Sequence, residues 1–215
     1  MKRIWLSIAL LLMCLALLSS SSNAEPTRTF GFTVSAGTAI SVNGSYNEAV
    51  DMPNALEAGY DYDIAFDKWI GRHFRASMTV KLAWMKFKNG TEGVAGESPS
   101  FTVPALVFRN FYHFASGRIR PFVSGGTGLY FWRFNTDGVL GSVARFEGER
   151  QQKMSIGVNA GAGLEVVLSK NSSILIDPSY HYILSQDRFV FGERFTEQGF
   201  VTLDVGFSYY FSSSN

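Results

Sequence analysis

Apolar and polar side chains alternate with a period of two along most of this 215-residue chain. The pattern is sharpest in Lys153–Leu168, where Met154, Ile156, Val158, Ala160, Ala162, Leu164, Val166 and Leu168 oppose Ser155, Gly157, Asn159, Gly161, Gly163 and Glu165. Successive side chains of an extended strand point to opposite faces, so each such run predicts a strand with one apolar and one polar face. Eight runs qualify: Phe30–Val42, Leu56–Phe66, His73–Met85, Phe101–Tyr112, Arg120–Phe134, Lys153–Leu168, Ile174–Tyr182 and Val201–Phe211. The fourth is the least regular, because Pro104 interrupts it and both faces hold apolar residues; Leu106 and Phe108 are placed outward and Arg109 inward. Beyond residue 24 no long stretch carries the 3.6-residue period of a helix.

The connections alternate as well. Polar, turn-rich segments at 43–55, 88–100, within 133–152 and at 185–199 are long, whereas 67–72, 115–118 and 169–172 are short. That rhythm puts every long loop at one end of an antiparallel sheet and every short turn at the other. The apolar face reads Phe, Tyr, Trp, Leu, Val and Ile on strand after strand, more contiguous apolar surface than a soluble domain exposes. The expected fold class is all-β, an eight-stranded antiparallel up-and-down barrel that spans a membrane. Lipid offers the backbone no hydrogen-bond partners, and a closed sheet has no edge left to satisfy.

Composition agrees. With 19 Phe, 9 Tyr and 21 Gly against 17% charged residues, the chain suits strands and tight turns better than helices. A formal net charge of +1 without basic runs argues against nucleic acid as a partner. Lys2 and Arg3 precede the apolar run Ile4–Leu18, which is short for a spanning helix of about 20 residues. Small residues follow, ending Ser22-Asn23-Ala24, so residues 1–24 read as a signal peptide cleaved between Ala24 and Glu25. The barrel domain is then 25–215. Cys14 is the only cysteine and lies in the signal, so no disulfide, thiolate metal site or cysteine nucleophile is expected in the mature chain.

The polar faces carry Glu57, Asp61, Asp63, Arg75, Lys81, Arg109, Glu165, Asp177, His181 and Asp204. Buried charges need partners, so these are expected to form an ion-pair network that fills the interior. A hairpin at 67–72 would set Asp63 diagonal to Arg75, and Glu57 and Asp61 diagonal to Lys81. A selective pore or proton path is the functional alternative for the same charges. So polar an inside is expected to leave no midplane cavity for a greasy ligand. His73 and His113, beside short turns, read as rim residues. His181 has Ser179 and Ser185 near it in sequence and Glu193 and Glu197 in the next loop, which suggests a Ser-His-Glu hydrolase as a minor reading. The G-x-G runs at 125–128 and 161–163 fall inside strands and precede no helix, so they are not nucleotide loops. No catalytic residue, metal site or cofactor is expected.

Two segments carry a family resemblance. The ending Asp204-Val205-Gly206-Phe207-Ser208-Tyr209-Tyr210-Phe211 and the strand Arg120-Pro121-Phe122-Val123-Ser124-Gly125-Gly126-Thr127-Gly128 resemble the small outer-membrane β-barrel family of OmpA, OmpX and opacity-type proteins. The likeness spans most of the mature chain. It implies residence in the outer membrane of a Gram-negative bacterium, among outer-membrane lipid and lipopolysaccharide, as a monomer. It also implies delivery by the barrel-assembly machinery, whose signal runs polar residue, x, Gly, two residues, aromatic, x, aromatic; Asp204, Gly206, Tyr209 and Phe211 fill those places. Ser212-Ser213-Ser214-Asn215 follow where that family usually stops. Lipid A deacylases of similar architecture carry His-x-Ser on a late strand, and here Ile183 stands two residues after His181. Because the family holds adhesins, resistance factors, channels and enzymes, its fold does not set an activity. The expected function is structural or surface-interacting, through the four long loops and a surface ligand they would hold. A narrow channel for small solutes is the runner-up, and a lipid A-modifying enzyme the third reading.

Overall fold

Eight long strands close on themselves in this computed structural model, which describes residues 28–46, 50–91, 96–146, 149–184 and 197–212. They are β1 (Arg28–Asn43), β4 (Gly59–Ile70), β5 (Phe74–Lys86), β6 (Ser100–His113), β7 (Ile119–Asn135), β10 (Gln152–Val167), β11 (Ser172–Leu184) and β12 (Glu197–Ser212). Two short hairpins sit in the long connections, β2 (Ser45–Tyr46) with β3 (Val50–Asp51), and β8 (Arg145–Phe146) with β9 (Glu149–Arg150). Around the barrel the order is β1-β12-β11-β10-β7-β6-β5-β4, with β4 returning to β1. All neighbours are antiparallel. The last strand closes the sheet against the first, running from Val201 opposite Ile40 to Phe211 opposite Phe30.

Alternation sets what faces lipid. Phe32, Val34, Tyr62, Ile64, Phe66, Val80, Phe108, Ile156, Val205 and Phe207 point out and are exposed, which only a hydrocarbon surrounding tolerates at this density. Aromatic contacts mark both rims of this belt. Phe32, Tyr209 and Phe211 cluster near the short turns, with Tyr209 and Phe211 edge to face at 5.4 Å. Tyr60 stacks on Trp84 at 5.7 Å toward the long loops. Rings of this kind fit the interfacial girdles of a membrane barrel.

The second strand departs from the expected bounds at both ends. It starts three residues later, because Met52–Ala55 forms a helical turn with Pro53 in its first positions. Leu56 then bridges to Phe87 and is buried under the long-loop end instead of facing lipid, and Glu57 is exposed. At the other end the strand runs on through the expected turn. Asp67 and Trp69 point inward and Lys68 and Ile70 outward, continuing the same alternation. The reversal comes at Gly71, whose φ of 74° favours a residue without Cβ.

Candidate functional site

The only interior a barrel of this size offers is the space its inward side chains fill, so that interior is where any site must lie or be blocked. It has two halves.

Toward the short turns and the middle, the filling is charged. Lys81 Nζ contacts the Asp61 carboxylate and lies 3.0 Å from Asp63 Oδ2 and 3.6 Å from Asp204 Oδ2. Asp63 sits directly opposite Lys81 in the β4–β5 ladder, and Asp61 is its diagonal neighbour. Asp204 arrives from β12 across β1, where Gly37 pairs with both Asp61 and Asp204. A Cβ at Gly37 would collide with the Asp204 side chain and the Leu203 carbonyl, so the absent side chain makes room for the carboxylate. Arg109 binds Asp177 through two nitrogens, at 2.6 and 3.1 Å, and donates to Ser124 Oγ at 2.6 Å. That fork geometry fixes orientation as well as charge.

Nearest the short turns, Arg75 donates to Tyr210 Oη at 2.9 Å, lies 3.8 Å from Asp67 and stacks over Phe111 at 4.0 Å. Asp67 also accepts from Thr33 at 2.6 Å. Glu165 receives Ser173 Oγ at 2.6 Å and Tyr210 Oη at 3.3 Å, with His113 Nε2 at 3.1 Å. Arg120 donates to the Gly117 and Ser116 carbonyls and lies over Trp69.

The half beneath the long loops is mainly apolar, with Gln198 buried in it against Met52. Met85, Phe87, Phe101, Val103, Trp132, Phe134, Ile183 and Phe200 fill it, and Met52 and Leu56 cap it. Phe101 meets Phe134 at 4.9 Å. His181 marks the boundary: Tyr130 Oη lies 2.9 Å from its Nδ1, Ser179 Oγ 3.1 Å from its Nε2, and Phe200 stacks on it at 4.7 Å.

Of the residues expected to share an interior network, Asp61, Asp63, Lys81 and Asp204 meet in one cluster, and Arg109 with Asp177 in another. Arg75 and Glu165 are joined through Tyr210. Arg75 has Asp67 as its partner and not Asp63, because the hairpin turns at Gly71 and shifts the register. Glu57 stays outside in the exposed approach to β4. His181 binds hydroxyls and an aromatic ring rather than a charge. His113 is fully buried against Glu165, because β6 carries its alternation to the final residue and aims that ring inward. Asp67, Trp69, Arg120 and Tyr210 also face the interior, where unbroken period-two spacing along their strands carries them.

The interior as a whole is less polar than expected, since the long-loop half is an aromatic plug. Among the described residues, Asp61, Asp63 and Asp204 form the acidic group close enough to hold a metal ion, their oxygens lying within 4.8 Å of one another. The Lys81 ammonium already sits on all three. A polar cavity of about 20 Å³ lies between the charge clusters, lined by Asp63, Asp67, Arg75, Arg109 and Asp177 with hydroxyls around them. It has room for about one water. For hydrolysis, Ser179 and His181 are both buried, and Ser185 and Glu193 lie outside the described residues, as do Ala24, Glu25 and the signal segment.

No protein-family model matches the chain, and no curated protein matches it. Among solved structures it is similar to Neisserial surface protein A, with 16% identity, a TM-score of 0.58, and coverage of 85% of this chain and 97% of that one. The fold is that of the small eight-stranded outer-membrane barrels. The outer membrane protein AlkL, solved in lipid bilayers, shares this barrel fold at 15% identity and a TM-score of 0.50, over 91% of this chain and 96% of its own. At such identities the likeness concerns the fold alone. What this barrel does rests on its own interior and loops.

Proposed function

We propose that the protein is a monomeric, non-conducting barrel of a Gram-negative outer membrane, with a structural and surface-interacting role carried by its long loops. The occluded interior carries this reading: Trp132, Phe101, Phe134 and Phe200 are essentially without solvent contact above, as are Arg75, Lys81 and Arg120 below. A water or ion path would need a hydrated thread through both layers, and the cavity of about 20 Å³ within the charged layer has room for about one water. The charge network is read as structural filling, and His181 as a packed core histidine without catalytic work. In this reading residues 1–24 are removed as a signal, 25–215 form the mature barrel, and Asp204, Gly206, Tyr209 and Phe211 serve recognition by the assembly machinery.

The test is reconstitution of the mature chain into planar bilayers. The expected result is no unitary conductance; discrete, reproducible steps from folded, heat-modifiable protein would overturn the reading and put the solute channel first. Deletion of single long loops should leave the folded band intact and abolish binding to the surface ligand.

A further inference from the structure

Two strand ladders of the wall keep their register but skip two positions, β10–β11 beside Pro178 and β6–β7 beside Pro104, and a cavity lies at the second. The β6–β7 ladder keeps a single register from Ser100 opposite Asn135 to His113 opposite Phe122, yet skips the Val103–Trp132 and Pro104–Phe131 positions. Pro104 has no N–H to donate, and a proline inside a fully paired strand is expected to break its ladder locally. On its other side β6 is paired to β5 without a gap through Leu82–Pro104 and Ala83–Val103. The missing bonds therefore leave a notch between β6 and β7 near the long-loop rim.

A cavity of about 380 Å³ occupies this notch. Pro104, Phe131, Trp132 and Met154 form its apolar walls, Leu140 its outer edge, and Arg133, Gln152 and Lys153 its polar side. Trp132 closes the inner wall, being buried and bonded to Ser155 Oγ at 3.0 Å, so the notch opens to the bilayer and not to the barrel interior.

The loop after β7 is shaped around it. Ser100 and Thr102 have the outward parity of Pro104 but are fully buried, because this loop folds back over them. Ser100 Oγ donates to the Gly138 carbonyl at 2.6 Å, and Thr102 Oγ1 to the Val139 carbonyl at 2.9 Å. The Asn135 amide and Arg133 Nη2 donate to the same Val139 carbonyl at 3.3 Å. These bonds hold Leu140, 72% exposed, beside the notch. The hairpin leading into Gln152 also sets Arg145 directly opposite Arg150.

We propose that the notch binds one acyl chain of a phosphorylated lipid of the outer leaflet. The chain lies along Pro104, Phe131, Leu140 and Met154, and the phosphate meets Arg133, which shares the outward parity of Phe131 and Met154; Lys153 has the inward parity of its ladder partner Trp132 and lines the rim. An apolar cavity that opens sideways among lipid-facing residues is filled from the bilayer, and its size is that of ordinary ligand sites, about 300–1,000 Å³. Its cations stand at the rim, at headgroup height, and a guanidinium matches a phosphate through paired hydrogen bonds.

The test uses the full mature barrel refolded into vesicles of equimolar phosphatidylcholine and phosphatidic acid, extracted in mild detergent and weighed by native mass spectrometry. The folded barrel should retain one phosphatidic acid in preference to phosphatidylcholine by about tenfold, the size of one charge-assisted hydrogen bond. Arg133→Gln should erase the preference, and Arg133→Lys should keep part of it. Pro104→Val, which restores the ladder donor, should close the notch and lower retention of both lipids. Wild-type barrel without preference, or equal retention in wild type and Pro104→Val, would reduce the lipid to a passing annular contact and overturn the site. The wild-type result decides even if a variant fails to fold. Conductance and loop binding read the surface role separately, so the two readings fail independently.

Discussion

Beneath the long loops the barrel is filled by Met85, Phe87, Phe101, Trp132, Phe134 and Phe200; toward the short turns the same kind of space holds Arg75, Lys81, Arg109 and their carboxylates. Both fillings are buried from solvent, but they should fail differently. An apolar side chain contributes by the area it hides, about 1.5–3 kcal/mol for a large residue, and its loss leaves a cavity that its neighbours partly close. A buried ion is stabilised by its partners, so losing one member strands the others in a medium that cannot solvate them. The apolar half should therefore give graded losses and the charged half cooperative ones.

The sharpest attempt to break this contrast is Lys81→Met, which leaves Asp61, Asp63 and Asp204 around an empty centre. It should cost about 3–5 kcal/mol in urea unfolding of the heat-modifiable band. Changing the three aspartates to asparagine in the same chain should recover most of that loss. A Lys81→Met barrel as stable as wild type would show that the network is not cooperative. Phe101→Ala, in the apolar half, should cost about 3 kcal/mol and Phe101→Leu about 1 kcal/mol, a gradation by volume that the charged half should not reproduce. Gly37→Ala forces a methyl against Asp204 and Leu203, and should cost about 2 kcal/mol through overpacking. Tyr130→Phe, at the boundary, removes the partner of His181 Nδ1, with an expected loss of about 1 kcal/mol by the same assay. Val205→Leu, on the lipid face, is the control and should stay within about 0.5 kcal/mol.

A lipid-facing notch adds a third environment to this comparison. It uses apolar residues as the plug does and cations as the network does, but on the outside, where the ladder is broken instead of filled. Pro104 carries that difference: the same residue that blurs the alternation of the fourth strand removes the bonds that would seal the wall.

The sequence by itself determined the barrel. Period-two alternation across eight segments, with links alternately long and short, leaves one arrangement in which apolar faces meet lipid and every backbone group is paired. Alternation puts Asp61, Asp63, Lys81, Arg109, Asp177 and Asp204 on the polar face, and all six are buried, because orientation along a strand is a local property. What the tertiary structure decided is which inward residues meet. Asp204 reaches Lys81 only through the closure of β12 on β1 and the gap left at Gly37. Arg75 takes Asp67 because the hairpin turns at Gly71, which also sets Asp63 directly opposite Lys81 and leaves Asp61 diagonal to it. The aromatic plug was hidden for the same reason. Phe87, Phe101 and Phe134 lie far apart along the chain at strand ends, and the register of β5, β6 and β7 brings these ends to one level of the lumen. Local chemistry sets the face a side chain takes, whereas register and closure set its neighbours, and a filled or open lumen depends on neighbours.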